Sequence, residues 1–120
     1  MTTKQWTVLF TDRFSDWLNE QENGLRETVL IHLLNLEKYG FLLARPYADT
    51  IKDSTYPNMK ELRVQYRGCP IRVFYAFDPL RQAIVLCAGD KTGKEKQFYK
   101  KMIRIADQEF KNYLESLRGI

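Results

Sequence analysis

Apolar positions recur along this chain with two different periods, and each change of period marks a change of element. The run QWTVLF is rich in Trp, Val, Leu and Phe and predicts a strand over Gln5–Phe10. Thr11 or Asp12 then offers a side-chain oxygen to cap a helix, and Phe14, Trp17 and Leu18 at helical spacing give that helix one buried face. Asn23-Gly24 interrupts. A second helix is predicted from about Leu25 to Tyr39, on a stripe of Leu25, Val29, Leu33 and Leu36 with Leu30 and Leu34 beside it. Gly40 stands where a left-handed residue ends a helix. These helices are expected to form a hairpin packed on one face of a sheet. Residues 44–58 contain two prolines and several turn formers and predict a loop. Three strands follow, over Met59–Tyr66, Ile71–Phe77 and Gln82–Ala88. Short links, Arg67-Gly68-Cys69-Pro70 and Asp78-Pro79-Leu80-Arg81, imply antiparallel pairing. A last helix begins at Lys94 or Glu95, with Phe98, Met102, Ile105, Ala106, Tyr113, Leu114 and Leu117 on its apolar side. The order β-α-α-β-β-β-α predicts one α+β domain over residues 1–120, a small twisted and mainly antiparallel sheet with an N-terminal helix hairpin and a C-terminal helix.

Alternation along the strands sorts the side chains by face. Leu62, Val64, Ile71, Val73, Tyr75 and Phe77 point to the face the helices should cover. Arg63 and Arg72 then emerge together from the other face of neighbouring strands, with Glu61 and Gln65 beside them. A hairpin symmetric about Gly68-Cys69 would set Gln65 opposite Arg72 and Phe74 opposite Arg63. Two guanidinium groups on a rigid sheet suit bidentate contact with phosphate. The alternatives are that Arg63 pairs with Glu61 or covers a solvated face.

Charge sharpens this picture. The formal net charge is +4, but residues 60–104 carry eleven Lys or Arg against four Asp or Glu, a net of +7 that leaves −3 on the rest. A basic surface of this kind predicts a polyanionic partner, nucleic acid first and an acidic protein second. Hydrophobic residues make up 44% and charged residues 28%, a globular composition. No apolar run approaches the ~20 residues of a membrane span, and MTTKQWTVLF lacks a signal peptide's apolar core. The two cysteines, Cys69 and Cys87, form no CxxC and read as free thiols. A cytoplasmic protein without cofactor is the expectation.

The stretch CAGDKTGKEKQFYKK, residues 87–101, holds five of the lysines. It is not a nucleotide-binding P-loop, because Gly89 and Gly93 are four apart and Gly93-Lys94 is followed by Glu95 rather than Ser or Thr. His32 is the single histidine and lies close to the apolar stripe of the second helix, so a two-histidine ribonuclease mechanism and a histidine-rich metal site are both excluded. Lys91, Lys94 and Lys96 come off the third hairpin strand at the positive end of the last helix, and Tyr99 lies three residues beyond Lys96. A solvated basic helix start would look similar.

With MKELR, RGCPIRVFYAF and IVLCAGDKTGKEKQFYKKMIRIADQEFKNYL in order, and RETVLIHLLNLEKYGFLLARP before them, the chain resembles the RelE-superfamily toxins, in particular the HigB-like, phage Gp49-like branch. The resemblance covers nearly the whole chain. It implies a RelE-like fold, cleavage of messenger RNA on the translating ribosome, and a cognate antitoxin, often of helix-turn-helix type. By the same resemblance, Arg63 corresponds to the arginine of the family's ELR strand and Arg72 to that of its YRI-like strand. The family's glycine-aromatic-lysine ending is here Gly89-Asp90-Lys91-Thr92-Gly93-Lys94, with Asp90 in place of the aromatic, and Tyr99 is the residue that could supply it.

RNA carries its own nucleophile, a 2′-hydroxyl, so cleavage without a metal needs alignment, charge stabilisation and proton transfer. Arg72 is the candidate for phosphorane stabilisation and Arg63 for positioning the phosphate. Lys91 or Lys94 is the candidate proton acceptor. Tyr99 could stack on a base or assist the transfer. Lys96, Lys100, Arg67 and Gln65 are candidate RNA contacts. Two other classes stay open: a non-catalytic nucleic-acid or ribosome-binding module, and a small interaction protein binding an acidic peptide.

Overall fold

The computed structural model describes residues 5–118 and shows nine elements, five of them the strands of one sheet. They are β1 (Val8–Phe10), α1 (Asp12–Asn19), α2 (Asn23–Tyr39), a 3-10 turn (Gly40–Leu42), β2 (Ala48–Thr50), β3 (Met59–Tyr66), β4 (Cys69–Phe77), β5 (Ala83–Asp90) and α3 (Glu95–Arg118). The strand order is β1-β5-β4-β3-β2. β1 runs parallel to β5, and every other neighbouring pair is antiparallel. The α+β class and its mainly antiparallel sheet are as the sequence predicts. The described residues include no helix long and apolar enough to cross a membrane.

Local chemistry explains the boundaries. The Thr11 hydroxyl accepts from the Phe14 amide at 3.1 Å and donates to the Leu86 carbonyl at 2.8 Å, so one side chain caps α1 and ties it to β5. Asn23-Gly24, read as an interruption, instead forms the first residues of α2. Gly40 has φ +53°, and a Cβ there would lie 2.1 Å from the Trp6 indole. Gly40→Ala should therefore lower stability by about 2 kcal/mol, from backbone strain and the displaced indole together. A urea midpoint unchanged from wild type would contradict this.

The loop expected over residues 44–58 contains a further strand, β2, paired with Lys60–Leu62 of β3. Three residues carry too little pattern to announce a strand, and pairing alone defines this one. The hairpin register also differs from the symmetric expectation. Its two-residue turn is Arg67-Gly68, with φ 48° and 79°, so Tyr66 pairs with Cys69 and Arg63 with Arg72. Such a turn needs positive φ at both central positions, and glycine supplies one of them without strain. The shift of two keeps every side chain on its expected face.

α1 and α2 cover one face, α1 over β5 and α2 over β3. Phe14, Leu18, Leu25, Val29, Leu33 and Leu36 there meet Leu62, Val64, Ile71, Val73, Tyr75 and Phe77. The opposite face is not left to solvent, because α3 lies across it. Met102, Ile103, Ala106 and Phe110 pack on Met59, Phe74, Ala76, Ile84, Leu86 and Cys87. A bulge between β4 and β5 turns both Leu86 and Cys87 toward α3. Cys69 and Cys87 are free, and burial pushes the Cys87 thiol up to about 12.

Polar contacts fix α3 in place. Asp107 accepts from the Ser54 hydroxyl and the Thr55 amide, while Glu109 pairs with Arg13 of α1 at 3.3 Å. Buried Asp78 accepts from the Tyr113 hydroxyl at 2.7 Å, from Gln82 and from the Leu80 amide. Burial pushes the Asp78 carboxyl up, but these hydrogen bonds outweigh it and hold the group below the usual carboxylate value of 3.8. Burial and Asp78 together push the Tyr113 phenol up to about 12. A depressed acid stabilises the fold above its unfolded value and loses that contribution as pH falls through the folded one. The Asp78 contribution is thus lost below about pH 4. Asp78→Asn should flatten the acid limb of a stability-against-pH curve, read from urea midpoints. A limb as steep as wild type would exclude this role.

Candidate functional site

Register and helix docking together build the site. Arg63 and Arg72 stand directly opposite one another on the α3 face of the sheet. The Arg63 amide donates outward to Tyr47 at 2.8 Å, which makes Arg63–Arg72 the close, non-hydrogen-bonded kind of antiparallel pair. Two like charges so placed repel unless carboxylates intervene. Asp49 lies near Arg63, holds an ion pair with Arg45 at 2.6 Å and has its carboxyl lowered mainly by that bond. Glu61 serves Arg72.

Glu61 is the residue the sequence reading left out of the site. It is only 6% exposed, and Arg72 only 5%. The Arg72 Nε stands 3.7 Å from Glu61 Oε1, and its Nη1 donates to the Ile71 carbonyl at 3.1 Å. Nε itself has no hydrogen-bond partner although it is buried. Tyr99 of α3 donates its hydroxyl to the same Glu61 Oε1 at 2.7 Å. Burial first, then Glu61, pushes the Tyr99 phenol up to about 12, against the opposing pull of Arg72. The Tyr99 ring packs edge-on to Phe74 and Phe98, and the Lys91 ammonium lies 5.9 Å from its centre. Lys91 is ion-paired with Glu95 at 3.1 Å. Gly89, opposite Arg72, lets this end of α3 come down, since a Cβ there would sit 3.0 Å from the Phe98 ring.

An open groove of about 1120 Å³ begins at Glu61 and Tyr99 and runs between α3 and the segment from Thr50 to Tyr56. Its floor includes Ile51, Tyr56 and Ile103. Lys96, Lys100, Arg104 and Lys111 line the α3 side, with Lys52 opposite, while Asp53, Glu95 and Asp107 interrupt the positive charge. The structure thus brings together Arg72, Tyr99, Lys91, Lys96 and Lys100, with Arg63 adjacent through its register. Lys94 is exposed just before α3. Gln65 is exposed opposite Pro70. Arg67, at the hairpin tip, stacks over Tyr66 and lies 3.8 Å from Glu22, at the start of α2 rather than in the groove. His32 is half-buried on α2, and burial lowers its pKa. Among the described residues no three His, Cys, Asp or Glu side chains are placed to hold a metal ion.

Residues 16–111 match the family described as Phage derived protein Gp49-like (DUF891). The chain belongs to that family. This Gp49-like protein is 41% identical over 110 residues to "Putative toxin HigB2" of Mycobacterium tuberculosis, covering 91% of the chain and 54% of the relative. It is 50% identical over 92 residues to "Putative toxin HigB3" of the same organism, covering 77% of each. The chain therefore spans about half the length of the first relative and three quarters of the second. Its fold is RelE-like. A free-state mutant of the Escherichia coli toxin RelE superposes with a TM-score of 0.57 at 13% identity, over 76% of this chain and 88% of that one. The RelBE2 toxin-antitoxin complex of M. tuberculosis gives 0.55 at 16% identity, over 72% and 98%. The Gp49-like family and the HigB-named relatives to which the sequence motifs point are thus the relationship found, on a RelE-like fold.

Proposed function

We propose that this Gp49-like protein is the toxin of a toxin–antitoxin pair and cuts messenger RNA on the ribosome. The observation that carries this reading is the buried Arg72 guanidinium, whose unpartnered Nε lies 3.7 Å from Glu61, the carboxylate that also holds Tyr99, where a basic groove begins. The toxin names of its relatives set the biological context.

In the proposed reaction the RNA 2′-hydroxyl attacks the adjacent phosphorus in line with the leaving 5′-oxygen. The products are a 2′,3′-cyclic phosphate and a 5′-hydroxyl, and the reaction needs no metal. Arg72 stabilises charge developing on the phosphoryl oxygens, and Arg63 positions the phosphate. The Tyr99 hydroxyl donates to Glu61 and burial raises its pKa, so Tyr99 acts by fixing Glu61 beside Arg72, and the leaving 5′-oxygen takes its proton from solvent or from a neighbouring lysine ammonium. Lys91 or Lys94 remains the candidate acceptor for the 2′ proton. Lys96 and Lys100 track the RNA backbone along the groove. The ribosome supplies much of the alignment, so free RNA is a poor substrate. An antitoxin, expected to carry an acidic segment, would neutralise the protein by filling this groove.

The groove's apolar floor favours one other reading, an interaction module that binds an acidic amphipathic peptide and cleaves nothing. Mapping 5′ ends on ribosome-associated messages after brief expression separates the two. New 5′-hydroxyl ends inside coding regions are expected. Their absence on every message tested would leave the binding module.

A further inference from the structure

α2 is apolar on two opposite sides, and the sheet covers only one. Leu25, Val29, Leu33 and Leu36 face the core. Leu30 and Leu34, which the sequence pattern places beside that stripe, instead lie with Ile31 on the far side, 40%, 62% and 60% exposed. The outer stripe also has an order. At 3.6 residues per turn Glu27, Ile31, Leu34 and Lys38 fall on one line along the helix. An acidic residue stands at its N-terminal end, a basic residue at its C-terminal end, and two large aliphatic residues lie between.

This order is self-complementary under a two-fold axis. Two α2 helices laid antiparallel about the His32–Leu33 midpoint set Ile31 of each copy against Leu34 of the other. The same operation sets Glu27 of each against Lys38 of the other. Parallel alignment would put Glu27 against Glu27 and Lys38 against Lys38. Glu27 makes no ion pair among the described residues, and Lys38 only overhangs the Tyr39 ring at 5.3 Å, so both charges are available.

We propose that the protein forms a two-fold dimer through the outer face of α2, the occupant of each exposed stripe being the stripe of a second copy. The aliphatic residues supply the driving force. Exposed ion pairs add little attraction, but like charges set opposite one another repel, so the charges select the antiparallel alignment and penalise any other. One helix pair buries less area than a permanent interface needs, and the dimer is reversible. α2 lies across the sheet from α3, so both basic grooves stay open. The inference is independent of what those grooves do.

Sedimentation equilibrium of the purified chain between roughly 10 and 200 μM tests it. A monomer–dimer equilibrium is expected. Leu34→Glu, at an exposed position, should weaken the dimer by at least about 10-fold with unchanged circular dichroism. Glu27→Lys and Lys38→Glu should each weaken it, and the double charge exchange should restore it. A monomer at every concentration, a dimer indifferent to Leu34→Glu, or a double exchange no better than the single ones would each overturn the proposal.

Discussion

Arg72→Ala is expected to lower cleavage of a programmed ribosome complex on the order of 100-fold, the usual loss when one charge-stabilising donor leaves a transition state. The side chain is held beside Glu61, at the head of the groove, by β4 and the Ile71 carbonyl. Arg72→Lys should recover only part of the rate, because an ammonium does not reproduce the planar fork. Lys91→Ala should cost more than Lys101→Ala. Lys91 stands over Tyr99, whereas Lys101 lies in a separate hollow with Arg13, Asp16 and Trp17. Each variant is compared at matched folding, monitored by near-ultraviolet circular dichroism. Full activity in folded Arg72→Ala would remove its assigned role, and equal losses at Lys91 and Lys101 would remove that of Lys91.

Much of this site was readable from alternation. The KELRVQY and IRVFYAF runs put apolar residues on one face, and buried Leu62, Val64, Ile71 and Val73 lie there. The same logic put Arg63 and Arg72 together on the other face. Their direct opposition was not readable, because it depends on whether the turn takes Arg67-Gly68 or Gly68-Cys69, a choice made by positive φ at Arg67. The burial of Arg72 was not readable either. It follows from α3 crossing that face, and an amphipathic helix does not state which face of a sheet it will cover. Glu61 did leave a signal: an acid inside a strand, two residues from Arg63 and on its face. The sequence offers Arg63 as its partner. In the observed register Glu61 lies opposite Phe74 and so diagonal to Arg72, and the ion pair forms with Arg72. The outer stripe of α2 is hidden in the sequence for a related reason. Periodicity shows that a helix has apolar positions, but two stripes on opposite sides can look like one broad stripe in the sequence.

Glu61→Ala is expected to be the most destabilising single change at the site, at about 3 kcal/mol. Removing one partner of a buried ion pair leaves the other charge buried without compensation, and that orphan dominates the cost. The 3.7 Å separation and the unpartnered Arg72 Nε place the value near the lower end of what such losses cost. A second contribution comes from Tyr99, whose 2.7 Å hydrogen bond to the Glu61 carboxylate is lost as well, worth about 1.5 kcal/mol on its own. Tyr99→Phe should isolate that smaller part. Glu61→Gln keeps an oxygen for Tyr99 but not the charge, so it should fall between Tyr99→Phe and Glu61→Ala. The decisive measurement is a double-mutant cycle in urea. Arg72→Ala and Glu61→Ala each orphan the other's charge, but the double variant orphans neither, so its loss should be clearly smaller than the sum. Simple additivity would mean that the two side chains do not depend on each other. Activity should part from stability in the same series. Glu61→Gln releases Arg72 from its carboxylate, and at matched folding it should bind a phosphate-backbone oligonucleotide more tightly than wild type yet cleave more slowly, because the guanidinium and the Tyr99 hydroxyl lose their common anchor. Equal binding and equal cleavage by wild type and Glu61→Gln would show that the carboxylate serves only the fold.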